Sequence, residues 1–169
     1  MRQTPDRRRV ARRSATLCAT LLAAAALNLI GSATARADSP SRLPLLPAYQ
    51  QECASCHVAY PPGMLPAASW QRLMANLPRH FGTDASLDPS TTQSLSTWLT
   101  ANAGTYKRVT ADPPPDDRLT RAPWFARKHH EVASAVWQRP AVHSAANCAA
   151  CHPQADKGDF NEHAVRIPR

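Results

Sequence analysis

The sequence is poor in three things, and each shortage excludes something. It holds three methionines, and apart from the initiator these are Met64 and Met74, so everything beyond Met74 lacks a methionine sulfur to offer a metal. No segment alternates apolar and polar residues between hairpin turns, which argues against a sheet-built core. No long hydrophobic run occurs either. The apolar stretch 15–30 is 16 residues, broken by Thr20 and Asn28, and that is short for a bilayer span.

That stretch is better read with its flanks. Residues 1–13 carry six arginines and one acid, and 31–37 are small residues ending in Ala35-Arg36-Ala37. Basic, apolar, then small is the layout of a secretory signal peptide, with cleavage expected after Ala37. A retained anchor is the rival reading. No twin-arginine consensus surrounds the arginine pairs. Cys18 lies inside the apolar run and leaves with it.

Strong net charge disappears with the same cut. The whole chain has 20 basic and 12 acidic side chains, net +8, but seven basic and one acidic residue lie in 1–37. The remainder, 13 against 11, gives no electrostatic case for nucleic acid.

The expected organisation is therefore a signal peptide over 1–37, an N-terminal part over 38–111, a Pro-rich linker over 112–117 and a C-terminal part over 118–169. Pro47 is tolerated at a helix start, predicting a short helix from Ala48. Ser69 is predicted as the N-cap of a helix that presents Trp70, Leu73, Met74 and Leu77 and stops at Pro78. Asp88 and Pro89 open another, with Leu95, Trp98 and Leu99 on one face and Gly104 near its end. The linker Asp112-Pro113-Pro114-Pro115-Asp116-Asp117 is stiff, with little scope for regular structure. The fold class is mainly α with extensive loops. With fifteen prolines after Pro5 the helices must be short and the core modest.

Four cysteines remain beyond Cys18, in two identical frames: Cys53-Ala54-Ser55-Cys56-His57 and Cys148-Ala149-Ala150-Cys151-His152. Two thiols three positions apart can add to the two vinyl groups of haem, and the following histidine can then bind iron from one face. Cys53, Cys56, Cys148 and Cys151 are thus candidate attachment residues for two covalently bound haem c groups, with His57 and His152 on the iron. A thioredoxin-like redox pair would need a βαβ context. A four-thiolate zinc site would leave both histidines unexplained. Trp70, Trp98, Trp124, Trp137 and Phe81 are candidate packing partners for the haems.

The sixth position of each iron is less constrained. Met64 and Met74 are available only in the first half, so the second iron takes a histidine or stays open. His80 follows His57 by 23 positions, and His129 precedes His152 by 23. Each half therefore owns one candidate distal ligand. His130 competes with His129, His143 sits close before its frame, and His163 lies in the tail.

At these residues the chain resembles the small bacterial di-haem cytochrome c family, DHC. The resemblance runs through Cys53-Ala54-Ser55-Cys56-His57, Tyr60-Pro61-Pro62-Gly63, Ser69-Trp70, His80-Phe81-Gly82, Pro123-Trp124-Phe125, Lys128-His129 and Asn147 to Pro153. The tail segments Gly158-Asp159-Phe160 and Val165-Arg166-Ile167-Pro168 also look like that family. It implies a small two-part protein with one haem per half, both low-spin and bis-histidine, with His80 and His129 as distal ligands. It also implies electron delivery in the periplasm, from a membrane b-type cytochrome to a soluble high-spin cytochrome c. A haem enzyme or gas-binding cytochrome with one open iron is the competing function.

Overall fold

The structure, a computed structural model, describes residues 43–169; the expected signal peptide and its cleavage point lie outside them. Five short helices carry the fold among the described residues. α1 spans Pro47–Cys53, α2 Ala67–Ala75, α3 Pro89–Ala101, α4 Pro123–Lys128 and α5 Ser134–Trp137. Single 3-10 turns fill much of the rest. Among the described residues the only strand-like pairing is an isolated bridge between His80 and Thr83. None of the described helices is long and apolar enough to cross a membrane.

Proline sets most of the starts. It occupies the first turn of α1, α3 and α4, where its missing N–H costs no hydrogen bond. α3 begins as its sequence suggests: the Asp88 carboxylate accepts from Ser90 N and Thr91 N. α2 does not. Ser69 is no N-cap; it lies inside the first turn, fully buried, with its own N–H donating 3.0 Å to Pro66 O. Pro66, extended at ψ 157, supplies the first carbonyl without any side-chain cap. The helix thus starts three residues earlier than a serine-based rule places it.

α2 and α3 pack on each other and build most of the core. Trp70 and Met74 from α2 meet Leu95 and Leu99 from α3, with Tyr49 of α1 beneath them. Leu119, Trp124 and Phe125 belong to the same buried cluster, so residues on both sides of the Pro-rich stretch share one interior. Gly63 makes one close approach possible. Its carbonyl accepts from Tyr106 N at 3.1 Å, and a Cβ there would collide with Thr105 Oγ1.

The Pro-rich stretch is more ordered than its composition suggests. Pro114 is buried and Pro115–Asp117 form a 3-10 turn. Asp116 and Asp117 both have positive φ, near 56° and 54°, a region that aspartate tolerates better than most residues. Two ion pairs secure them, Arg121 with Asp116 and Arg72 with Asp117. The second is bidentate, at 2.8 and 2.5 Å. Hydrogen bonding from Arg72 holds the Asp117 carboxyl below its ordinary range.

A lowered folded pKa contributes stability that is present above the unfolded value, about 3.9, and fades as pH falls through the folded one. Asp117→Asn should therefore lower the melting temperature at pH 7 by about 2–4 °C, as expected for a partly exposed bidentate pair. The difference should shrink below about pH 4. Melts of both proteins from pH 7 to pH 3 test this; a constant gap would show that charge is not what pins the turn.

Candidate functional site

The first frame begins where α1 ends. Cys53 is its last residue and Ala54 its cap, so the chain leaves the helix with Cys53 half-buried and Cys56 exposed. The second frame is a 3-10 turn over Cys148–Ala150, closed by the N–H of His152 donating 2.8 Å to Cys148 O. All four thiols are free. Burial pushes the Cys53 and Cys148 thiols up to about 11, helped at Cys53 by Glu52. These are protonated thiols, unlike the low-pKa thiolates of redox pairs. The described residues also contain no cluster of three or more His, Cys, Asp or Glu side chains suited to a metal ion, so the two cysteine pairs do not assemble a zinc site.

The histidines fall into two pairs. His80 stands opposite His57 with ring centroids 6.2 Å apart and planes at 25°. His129 stands opposite His152, also at 6.2 Å, with planes at 79°. With the zinc–imidazole bond as guide, about 2 Å per bond and about 1 Å from each nitrogen to its ring centre put two centroids roughly 6 Å apart across one metal. Rotation about a nitrogen–metal–nitrogen axis changes the plane angle and leaves the separation alone. Both separations are compatible with one metal atom between the two rings.

Local structure aims these rings. His80 sits at the end of a 3-10 turn over Leu77–Arg79, and the turn continues through Phe81 and Gly82, both at positive φ. Gly82, at φ 97°, takes a conformation that side chains oppose. His129 caps α4. It lies four residues after Phe125, hence on the same helix face, and stacks on that ring at 4.0 Å. His130, one position on, is exposed, and its Nδ1 donates to Arg127 O at 2.9 Å. His143 and His163 are exposed as well. Met64 and Met74 are both buried in the core.

The protonation pattern follows from the partners. Nδ1 of His57 lies 2.7 Å from Val58 O, and Nδ1 of His129 lies 2.9 Å from Phe125 O. A carbonyl can only accept, so each Nδ1 carries the proton and each Nε2 keeps a free lone pair. Burial, then the facing imidazole, lowers the pKa of His80 and of His152. Both are thereby held in the neutral form that binds metals. Nδ1 of each is buried without a partner in the protein, the mark of a site whose occupant completes it. The indole N–H of Trp124 is also buried and unpaired, and nothing in the structure explains it.

Aromatic side chains frame the pairs. Phe81, 44% exposed, adjoins His80 at 4.8 Å and carries the Arg118 guanidinium over its ring at 4.2 Å. Trp137 lies 5.8 Å from His129, and Phe160 lies 5.4 Å from His152. Of the four tryptophans, Trp70 and Trp124 are core residues, while Trp98 and Trp137 are half-buried. Tyr60 was not legible as a site residue from its surroundings in the sequence. Its ring stacks on His57 at 4.8 Å, and its hydroxyl donates to Ala146 O at 2.9 Å, two residues before Cys148. Burial and then the nearby Cys148 thiol push the phenol well up. One side chain thus joins the first histidine pair to the second frame.

A helical scaffold with two separate C-x-x-C-H frames, each facing a second histidine, defines a c-type cytochrome for two haems. The sequence profile of the dihaem cytochrome c family, DHC, matches residues 49–160, and the chain belongs to that family. Solved structures agree. The diheme cytochrome c of Shewanella baltica OS155 is 39% identical with a TM-score of 0.63, covering 72% of this chain and 92% of its own. A diheme cytochrome c from Rhodobacter sphaeroides is 43% identical with a TM-score of 0.61, covering 68% and 96%. Among curated proteins none matches. Two covalently bound haem c groups follow from the family, and with them a haem-based electron-transfer cytochrome of mainly helical fold.

Proposed function

We propose that the protein is a periplasmic electron carrier in which both haems are low-spin and bis-histidine. The observation that carries this reading is the repeated 6.2 Å separation of His57 from His80 and of His129 from His152. Cys53 and Cys56 hold the first haem and Cys148 and Cys151 the second. Bound haem supplies a one-electron change at iron.

The chain's own residues keep the surroundings of that change constant. The Val58 and Phe125 carbonyls fix two imidazole tautomers, and burial keeps His80 and His152 neutral. Four nitrogen ligands with fixed orientation suit both oxidation states, so little reorganises on transfer. Lacking a sulfur ligand, both centres should have lower potentials than histidine–methionine cytochromes. The membrane b-type cytochrome as donor and the soluble high-spin cytochrome c as acceptor belong to the same proposal, supported by the family resemblance. The periplasmic setting is supported by the basic, apolar and small segments of 1–37.

EPR of the oxidised protein and carbon monoxide addition to the reduced protein test the ligation. Two low-spin signals and no carbon monoxide adduct are expected. The signals should differ, because rings 25° and 79° apart split the iron orbitals unequally: a rhombic signal for the first, a more anisotropic one for the second. A high-spin signal with prompt carbon monoxide binding would replace this reading with an open-iron haem enzyme or gas-binding cytochrome.

A further inference from the structure

We infer that the C-terminal segment 159–168 is the outer wall of the second haem's site, with Val165 and Ile167 as the apolar side chains that cover that haem. The inference rests on the proposed placement of this haem between His129 and His152. It goes beyond the residues that the family profile matches, which end at 160.

The segment is tied to both sides of that histidine pair. Gly158, at φ 70°, closes the turn over Ala155–Lys157 and redirects the chain. Phe160 then meets the His152 ring. Asn161 caps the next turn by accepting from His163 N at 3.0 Å. Glu162 pairs with Lys128 at 3.1 Å, beside His129. Four residues on, Arg166 N donates 2.9 Å to Cys151 O, within the frame itself, and Arg139 Nη1 donates 2.6 Å to Pro168 O. A tail held at His129's side, at the frame and at its far end is a strap, not a loose terminus.

The strap exposes the wrong side chains for a surface. Val165 is 36% and Ile167 49% open, among the four most exposed large apolar residues described. Both flank Arg166, whose N–H is bonded to the haem-attaching Cys151. Val165 is extended at φ −60° and ψ 135°, so with Ile167 it brackets the residue whose N–H holds the Cys151 carbonyl. Under the proposed placement, the macrocycle attached at Cys148 and Cys151 is the apolar body that Val165 and Ile167 would adjoin. A cover of this kind excludes water, and excluding water disfavours the more positively charged oxidised iron.

The test replaces Val165 and Ile167 by threonine in the haem-loaded protein and follows each haem by EPR-monitored redox titration. A side chain that faces only solvent should tolerate threonine without effect. The inference expects the potential of the second haem alone to fall, changing its ratio of reduced to oxidised iron about three- to tenfold at the wild-type midpoint, up to about 59 mV for one electron. A chain ending at Ala164 should show a shift at least as large. Unchanged potentials in both variants, or equal shifts of both haems, would overturn it; a loss of transfer to a partner protein with unchanged potentials would instead make the strap a docking surface. The ligation reading is judged separately, on the wild-type spectrum. If that spectrum shows an open or sulfur-ligated second iron while the threonine variant still shifts it, the cover stands and the ligation fails.

Discussion

His129→Ala should turn about half of the haem high-spin and let the reduced protein bind one equivalent of carbon monoxide, while His130→Ala changes neither. The two neighbours lie at and just past the end of α4. His129 shares the Phe125 face of α4, is stacked on that ring and lies 6.2 Å from His152. His130 points outward, with its Nδ1 on Arg127 O and its other nitrogen near Glu131. Under the proposed ligation, removing His129 would leave one iron position open beside Trp137 and Phe125. Removing His130 deletes an exposed side chain, a change worth within about 0.5 kcal/mol of stability. Optical spectra of both variants with carbon monoxide decide it. Adduct formation in His130→Ala, or none in His129→Ala, would assign the ligand elsewhere.

The second large effect concerns the polypeptide without haem. With Cys53, Cys56, Cys148 and Cys151 all changed to alanine, the protein should lose its cooperative melt and most near-ultraviolet dichroism from its four tryptophans. The helices have 7, 9, 13, 6 and 4 residues, and isolated helices below ~12–15 residues are marginal in water. Their persistence therefore depends on what they pack against. The α2–α3 cluster is one such body, but His80 and His152 each carry a buried Nδ1 with no partner in the protein, and the haems attached at the two frames would supply further apolar surface. Stripping both sites removes that contact surface, and a domain of ordinary stability has only about 5–15 kcal/mol to lose. Circular dichroism against temperature measures the outcome; a sharp transition in the four-alanine variant would mean that the α2–α3 core alone suffices.

What could be read from the sequence was local chemistry. Asp88 before Pro89 specifies a helix start by groups within three residues of each other, and the structure has that start. The two frames are likewise self-contained. Ser69 shows the limit of the same logic: serine caps helices and also fits inside them, and here the carbonyl of Pro66 does the capping. The Pro-rich stretch shows another. Its composition implies stiffness, but the turn over Pro115–Asp117 depends on Arg72, which is 45 positions away. Tyr60 was hidden for the same reason, since its hydroxyl bonds to Ala146 across 86 positions. The stacking of His129 on Phe125 was readable in principle, because a spacing of four on a helix puts two rings on one face. That α4 ends just before His129, leaving it as the cap, required the structure.

The order of parts along the chain differs between the two sites. In the first the frame comes before the opposing histidine, and in the second it comes after. A chain emerging amino end first offers Cys53, Cys56 and His57 for attachment while His80 has yet to follow. His129 is already out when Cys148, Cys151 and His152 arrive. Under the proposed ligation, the residues that would hold the first haem therefore come ahead of its second histidine, whereas the second haem's opposing histidine precedes every residue that would attach it. A fragment ending between residues 57 and 80 would therefore hold a complete attachment frame without its opposing histidine, and one ending between 129 and 148 would hold the second site's opposing histidine without its frame.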